Sequence, residues 1–266
     1  RPSDEAILVA RLIDRSIRPL FDQRARNEVQ LTVMALSIDG ENDPVVPAII
    51  AASLAVSTSN IPWSGPVGAV RVAKNGGSFI VNPVYKERSE ATLDFIVCGR
   101  EGKINMIEGE AKEMPEAEVS RAFDFAKNEI EKIQKFQEEI IKEIGREKEM
   151  PPIKEAPEGM KGLFDKHIYG RLSDVVYLGE KKERVITLSE LKKEWKEAAG
   201  DKFGENSHSQ AEDIFEEGLD EIVRSNILQR EKRPDGRKID ELRPLFARAG
   251  MLNRAHGSGL FFRGET

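Results

Sequence analysis

The spacing of apolar residues changes character at Pro115, and that change constrains the fold more than any single motif. After it, Val119, Ala122, Phe123, Ala126, Ile130, Ile133, Ile140 and Ile144 recur every three or four residues until Gly145. A proline at the start, one apolar stripe and a glycine at the end predict a single long amphipathic helix. Just before Pro115 the segments are short and separated by turns, as in strands. Segments Ala69 to Ala73 and Ser78 to Val81 flank Asn75-Gly76-Gly77, the chain's strongest hairpin signal, and Thr92 to Cys98 and Lys103 to Glu108 flank a second turn at Gly99-Arg-Glu-Gly102. Beyond the helix, residues 146–160 hold three prolines among charges and read as a linker, while 161–229 are charged and helical in pattern. A chain ordered this way is an α/β unit followed by an all-helical one.

The opening residues fit that frame. Pro2-Ser3-Asp4-Glu5 predicts a helix start with Ser3 as cap, and the helix should stop before Pro19. Val29, Leu31, Val33 and Ala35 alternate with Gln30, Thr32 and Met34, which predicts a strand with one buried face. A turn follows at Asp39-Gly-Glu-Asn-Asp-Pro44. The small apolar residues Ala48 to Val56 then predict a helix packed closely on a sheet.

With 39% hydrophobic and 33% charged residues among 266, the chain is an ordinary globular one, which excludes membrane-embedded and disordered classes. A net charge of -6 argues against a uniformly basic nucleic-acid binder, so any nucleic-acid site must be a local patch. The single cysteine, Cys98, cannot form an internal disulfide and suits a reducing compartment; with no signal peptide and no run of about 18 apolar residues, the cytoplasm is the expected location.

Arg11, Arg15 and Arg18 share one helical face, and Asp14 lies three and four residues from two of them. This is either a self-neutralised surface network or a phosphate-binding stripe. His167, His208 and His256 show no metal-ligand spacing. His256 is expected in a strand, in a packing role. Gly257, Gly259 and Gly264 lack the lysine of a P-loop.

Two stretches carry a family resemblance. Arg233-Pro-Asp-Gly-Arg-Lys-Ile-Asp-Glu-Leu-Arg-Pro-Leu and His256-Gly-Ser-Gly-Leu-Phe-Phe-Arg-Gly-Glu-Thr resemble the opening of an RNase PH-type core, and Arg11-Leu-Ile-Asp-Arg-Ser-Ile-Arg-Pro-Leu-Phe resembles the middle of the first core of bacterial polynucleotide phosphorylases. The resemblance covers nearly the whole chain, which then reads as an internal piece of a longer protein. It implies a partial, catalytically silent RNase PH-like core at 1–145, a linker and all-helical domain at 146–230, and the first strands of a second core at 231–266.

By the same resemblance the parent is a magnesium-dependent 3′-to-5′ exoribonuclease of mRNA degradation that uses inorganic phosphate, a homotrimeric ring on single-stranded RNA with other RNA-degradation proteins as possible partners and no membrane. Arg1, Arg11, Arg15, Arg18 and Arg71 match positions implicated in RNA handling, with a plain strand-end charge the alternative for Arg71. No catalytic residue is expected within the chain. Asp94 sits where one metal acid of an active core should be, yet Arg88 occupies the position six residues earlier and would repel magnesium. Asp94 is therefore expected as a structural carboxylate, with a metal role the weaker option. A non-catalytic RNA-binding ring subunit of exosome type is the alternative; the charged helical segment argues against it.

Overall fold

The computed structural model describes residues 2–22, 24–25, 27–150, 155–264 and 266. The chain divides into two compact units, 1–153 and 154–266.

In the first unit, helix α1 (Asp4–Ile17) starts where Ser3 Oγ accepts from the Ala6 amide at 3.2 Å, with Asp4 and Glu5 in the first turn. Those acids face the positive end of the helix dipole. The helix gives way to a tight turn at Arg18–Leu20, where Pro19 has no amide to donate. Helix α2 (Val45–Thr58) contains the small apolar run. Four strands follow, β1 (Gly68–Asn75), β2 (Ser78–Val81), β3 (Leu93–Arg100) and β4 (Lys103–Ala111), with a short helix α3 (Tyr85–Glu90) between β2 and β3. Among the described residues they form one antiparallel sheet in the order β2-β1-β3-β4.

Both tight hairpins turn through positive φ. Gly76 and Gly77 stand at 53° and 95°, Glu101 and Gly102 at 51° and 72°. Two successive left-handed residues match the twist of the strands they join, which is why Asn-Gly-Gly is so strong a signal.

The sheet is covered on both faces. Ile96 and Cys98 of β3 point toward Ile13 and Ile17 of α1 and Ile49 and Ala52 of α2. Phe95 and Val97 point the other way, toward Ala122, Ala126 and Ile130 of helix α4 (Glu116–Ile144). Successive strand residues face opposite sides, so a strand buried on both reads as the continuous apolar run Phe95 to Cys98. Burial pushes the Cys98 thiol up to about 12, leaving it a small apolar filler. α4 also makes polar ties: Gln137 Nε2 donates to Val67 O at 2.8 Å and Gln134 Nε2 to Pro66 O at 3.2 Å.

After α4 the chain returns across the end of α2. Lys148 Nζ donates to Val56 O, Ser57 O and Ser59 O at 2.9, 2.8 and 2.7 Å, and the Arg146 and Glu149 amides donate to Thr58 O and Asn60 O. The ammonium satisfies carbonyls a helix end leaves open, and it sits at the negative pole of the dipole. Residues 146–149, expected to belong to a linker, are thus pinned to the first unit.

The expected strand at Val29 to Ala35 is absent: residues 27–39 have no regular backbone pairing. Alternation supplies a face but not a partner, and no described strand lies alongside, so Val33, Met34, Leu36 and Ile38 stay exposed.

The second unit opens with three short helical turns, α5 (Met160–Phe164), a wider turn at Asp165–Tyr169 and α6 (Gly170–Val175), then the long helices α7 (Lys181–Phe203) and α8 (His208–Arg230). Trp195 is its centre. Its indole lies edge-on to Phe164 at 5.3 Å between centroids and donates to Ala211 O at 2.7 Å. Lys192 and Lys196 of α7 pair with Glu212 of α8, and Lys192 reaches Glu216 as well. Strands β5 (Leu245–Ala249) and β6 (Gly259–Arg263) form an exposed hairpin. His256 lies in the exposed connection between them, outside either strand, so the packing role expected of it is not there. No described helix is long and apolar enough to cross a membrane.

Candidate nucleic-acid interface and a closed acid pair

Helix α1 buries Ile13 and Ile17 and turns its arginines outward. Its last carbonyls are held by distant side chains: Asn105 Nδ2 donates to Ser16 O at 2.8 Å, and Trp63 Nε1 to Ile17 O at 3.1 Å. These ties fix the arginine face against the sheet.

The three arginines stand in three different states. Arg11 is exposed and has no ion pair among the described residues. Arg15 Nη1 donates to Glu108 Oε2 of β4 at 2.6 Å, both side chains about half exposed. Arg18 is gripped by Asp14 through Nε at 2.9 Å and Nη2 at 2.6 Å. The self-neutralised network expected from spacing thus covers Arg18 alone. Glu108 gives no sequence signal as a partner, being 93 residues away and brought near only when β4 packs beneath α1. Arg1 lies outside the described residues.

At the start of α2 the turn residue Asp39 accepts from the Asn42 amide, Asn42 Nδ2 and the Glu41 amide. These bonds favour the charged form and hold its carboxyl at about 2, below the usual carboxylate range. Next to this turn four charged side chains form a closed set. Arg71 donates to Asp94 through Nε at 2.6 Å and Nη2 at 3.2 Å, and through Nη1 to Asp43. Arg88 donates through Nε to Asp94 at 3.0 Å and through Nη1 to Asp43 at 2.8 Å. Side-chain exposure is 11% for Arg71 and Asp43, 13% for Asp94 and 22% for Arg88.

Of the two readings open for Arg71, this geometry favours the strand-borne charge. A guanidinium that spends all three of its nitrogens on carboxylates, nearly out of water, is a structural cation rather than a free phosphate ligand. It also sets the charge around the acid pair. Asp43 and Asp94 face two guanidinium groups, and a divalent cation there would meet positive charge from both. No group of three or more His, Cys, Asp or Glu suited to a metal occurs among the described residues. Arg88 is legible in sequence at six residues from Asp94, whereas Asp43 and Arg71 join them only through strand register and the α2 turn.

In the second unit Arg184 Nη1 donates to both Leu178 O at 2.8 Å and Pro234 O at 3.2 Å, holding the Arg233-Pro-Asp-Gly-Arg237 turn to the start of α7. Within that turn Arg233 and Arg237 share Asp235.

Three family models match in order along the chain: 3′ exoribonuclease family, domain 1, over residues 1–62; 3′ exoribonuclease family, domain 2, over 65–129; and polyribonucleotide nucleotidyltransferase, RNA binding domain, over 161–238. Curated relatives named polyribonucleotide nucleotidyltransferase align with all of it. The protein of Caldicellulosiruptor saccharolyticus is 41% identical over 266 residues, that of Lysinibacillus sphaericus 38% over 270 and that of Geobacillus kaustophilus 38% over 272. In each case the whole of this chain is covered, against 38%, 38% and 37% of the relative. With two exoribonuclease-family domains and a helical unit in that order, the chain belongs to the polyribonucleotide nucleotidyltransferase family and spans a little over a third of the length of the curated relatives it matches.

Proposed function

We propose that this chain is an RNA-contacting, non-catalytic portion of a phosphate-dependent 3′-to-5′ exoribonuclease acting in mRNA degradation. In that reaction an oxygen of inorganic phosphate attacks the terminal phosphodiester, the 3′ oxygen leaves, and a nucleoside diphosphate is released, reversibly. The observation that carries the reading is the outward arginine face of α1 in a chain that aligns end to end with polyribonucleotide nucleotidyltransferases. Guanidinium groups bind phosphodiesters bidentately, and Arg11 and Arg15 retain donors for it. The helical unit, matched by a model described as an RNA binding domain, favours this over an exosome-type ring subunit.

The rest of the reading concerns the whole protein. A homotrimeric ring threading single-stranded RNA, association with other RNA-degradation proteins, and a cytoplasmic site belong to it. So do magnesium, which would neutralise charge on the reacting phosphates, and the phosphate-binding groups. Both are assigned outside this chain, since the acid pair here is satisfied by arginines. In the first unit the chain's own residues orient the RNA backbone: α1 presents the cations, and Asn105 and Trp63 hold α1.

The test uses labelled oligoadenylate and the 266-residue chain. Binding should weaken as salt rises, and Arg11→Ala/Arg15→Ala/Arg18→Ala should weaken it further while flattening the log-log salt dependence by up to about 0.7 for each phosphate no longer neutralised. With phosphate and magnesium added, no nucleoside diphosphate should form. An unchanged slope in the triple variant, or phosphate-dependent release of ADP, overturns the reading.

A further inference from the structure

Resting on that reading, the three states of the α1 arginines assign a role to a residue outside the helix. In β4, Glu108 lies opposite Ile96 of β3, and Ile96 is buried in the cluster beneath α1. Glu108 therefore rises from the sheet face on which α1 rests, and it meets Arg15 from the side. Its bond to Nη1 is the single ion pair Arg15 makes among the described residues, and it leaves the Nε and Nη2 edge open. Asp14 does the opposite to Arg18, occupying the Nε and Nη2 edge that a phosphodiester would take. The helix thus presents one open cation, one half-engaged and one largely closed.

We propose that Glu108 sets the affinity of this face for RNA: it cancels the charge of Arg15 while leaving one guanidinium edge for a phosphate oxygen. Two effects compete when its charge is removed. Arg15 loses a partner that holds its side chain in place, which opposes binding; it also regains its full charge, and a carboxylate that repels each passing phosphate is gone. An ion pair half in water is worth little, so the lost positioning is small. The phosphate backbone responds to net charge, and counterion release rewards every uncancelled cation. Charge therefore wins. A face held below its maximal affinity suits an enzyme whose RNA must advance one nucleotide after each cleavage.

The measurement is fluorescence anisotropy of labelled oligoadenylate on the 266-residue chain across a salt series, with urea unfolding of each variant as a check on folding. Glu108→Gln should tighten binding about twofold to fivefold and steepen the salt dependence by up to about 0.7. Arg15→Ala placed on top should erase the gain. Glu110→Gln, which removes an exposed carboxylate two residues along the same strand, should not reproduce it. Unchanged or weaker binding by Glu108→Gln, an equal gain from Glu110→Gln, or a gain that survives without Arg15 overturns the inference. If Arg11→Ala weakens binding while Glu108→Gln does nothing, this inference alone fails. If no variant and no salt concentration alters binding, the RNA reading fails with it.

Discussion

Asp94 accepts from two guanidinium groups, and each of those also reaches Asp43, so every charge in the set has two partners. Removing one member leaves its neighbours facing like charge in a poorly hydrated place. Asp94→Asn should cost the first unit about 3–5 kcal/mol, whereas Asp94→Leu combined with Arg88→Met should cost less than the sum of the single changes. Urea unfolding of the four proteins measures the coupling; additive losses would mean that the charges act independently. At this scale the sequence is partly legible. The Arg88 to Asp94 spacing shows the cation beside the acid, and the i, i+4 spacing shows Asp14 beside Arg18. Arg71 finds Asp94 through the register of β1 on β3, Asp43 joins them through the turn before α2, and Glu108 meets Arg15 because β4 pairs with β3 beneath α1. Register is a property of paired strands, and no spacing along one strand reveals it.

At the scale of elements, local chemistry decides what can be read. The β1–β2 and β3–β4 hairpins, the Ser3 cap and the length of α4 all rest on residues close in sequence, and each is legible. The 27–39 segment shows the limit, since its alternation is real and its pairing absent. Gly109 of β4 shows another. A Cβ there would lie 2.1 Å from Asp94 O and 2.5 Å from the Phe95 ring, so β4 approaches β3 at a distance that a side chain would not permit. Nothing in its neighbours marks that glycine as obligatory. Gly109→Val should destabilise the first unit by about 1–3 kcal/mol or more through overpacking, read as an earlier thermal transition of the sheet. A transition at the wild-type temperature would show that the edge strand moves aside at no cost.

For the molecule as a whole, the expected boundary at 145 and 146 lies a few residues before that of the compact units, at 153 and 154: the helix announced at Pro115 packs on the sheet of the first unit, and Lys148 ties residues 146–149 to α2. The helical unit has its own core around Phe164, Trp195 and Phe215. Residues 155–230 expressed alone should therefore give a helical circular dichroism spectrum with one cooperative thermal transition, and Trp195→Ala should abolish it, at a cost of about 3–5 kcal/mol. A broad, uncooperative melt of the unaltered piece would show that it needs the remainder of the chain. The four-charge set gives the first unit a different kind of constancy. A bound ion obeys mass action, leaving when its supply is diluted or chelated, and the stability it confers leaves with it. The positive charges between Asp43 and Asp94 are part of the polypeptide, so the local concentration of their counter-charge is the same at every dilution.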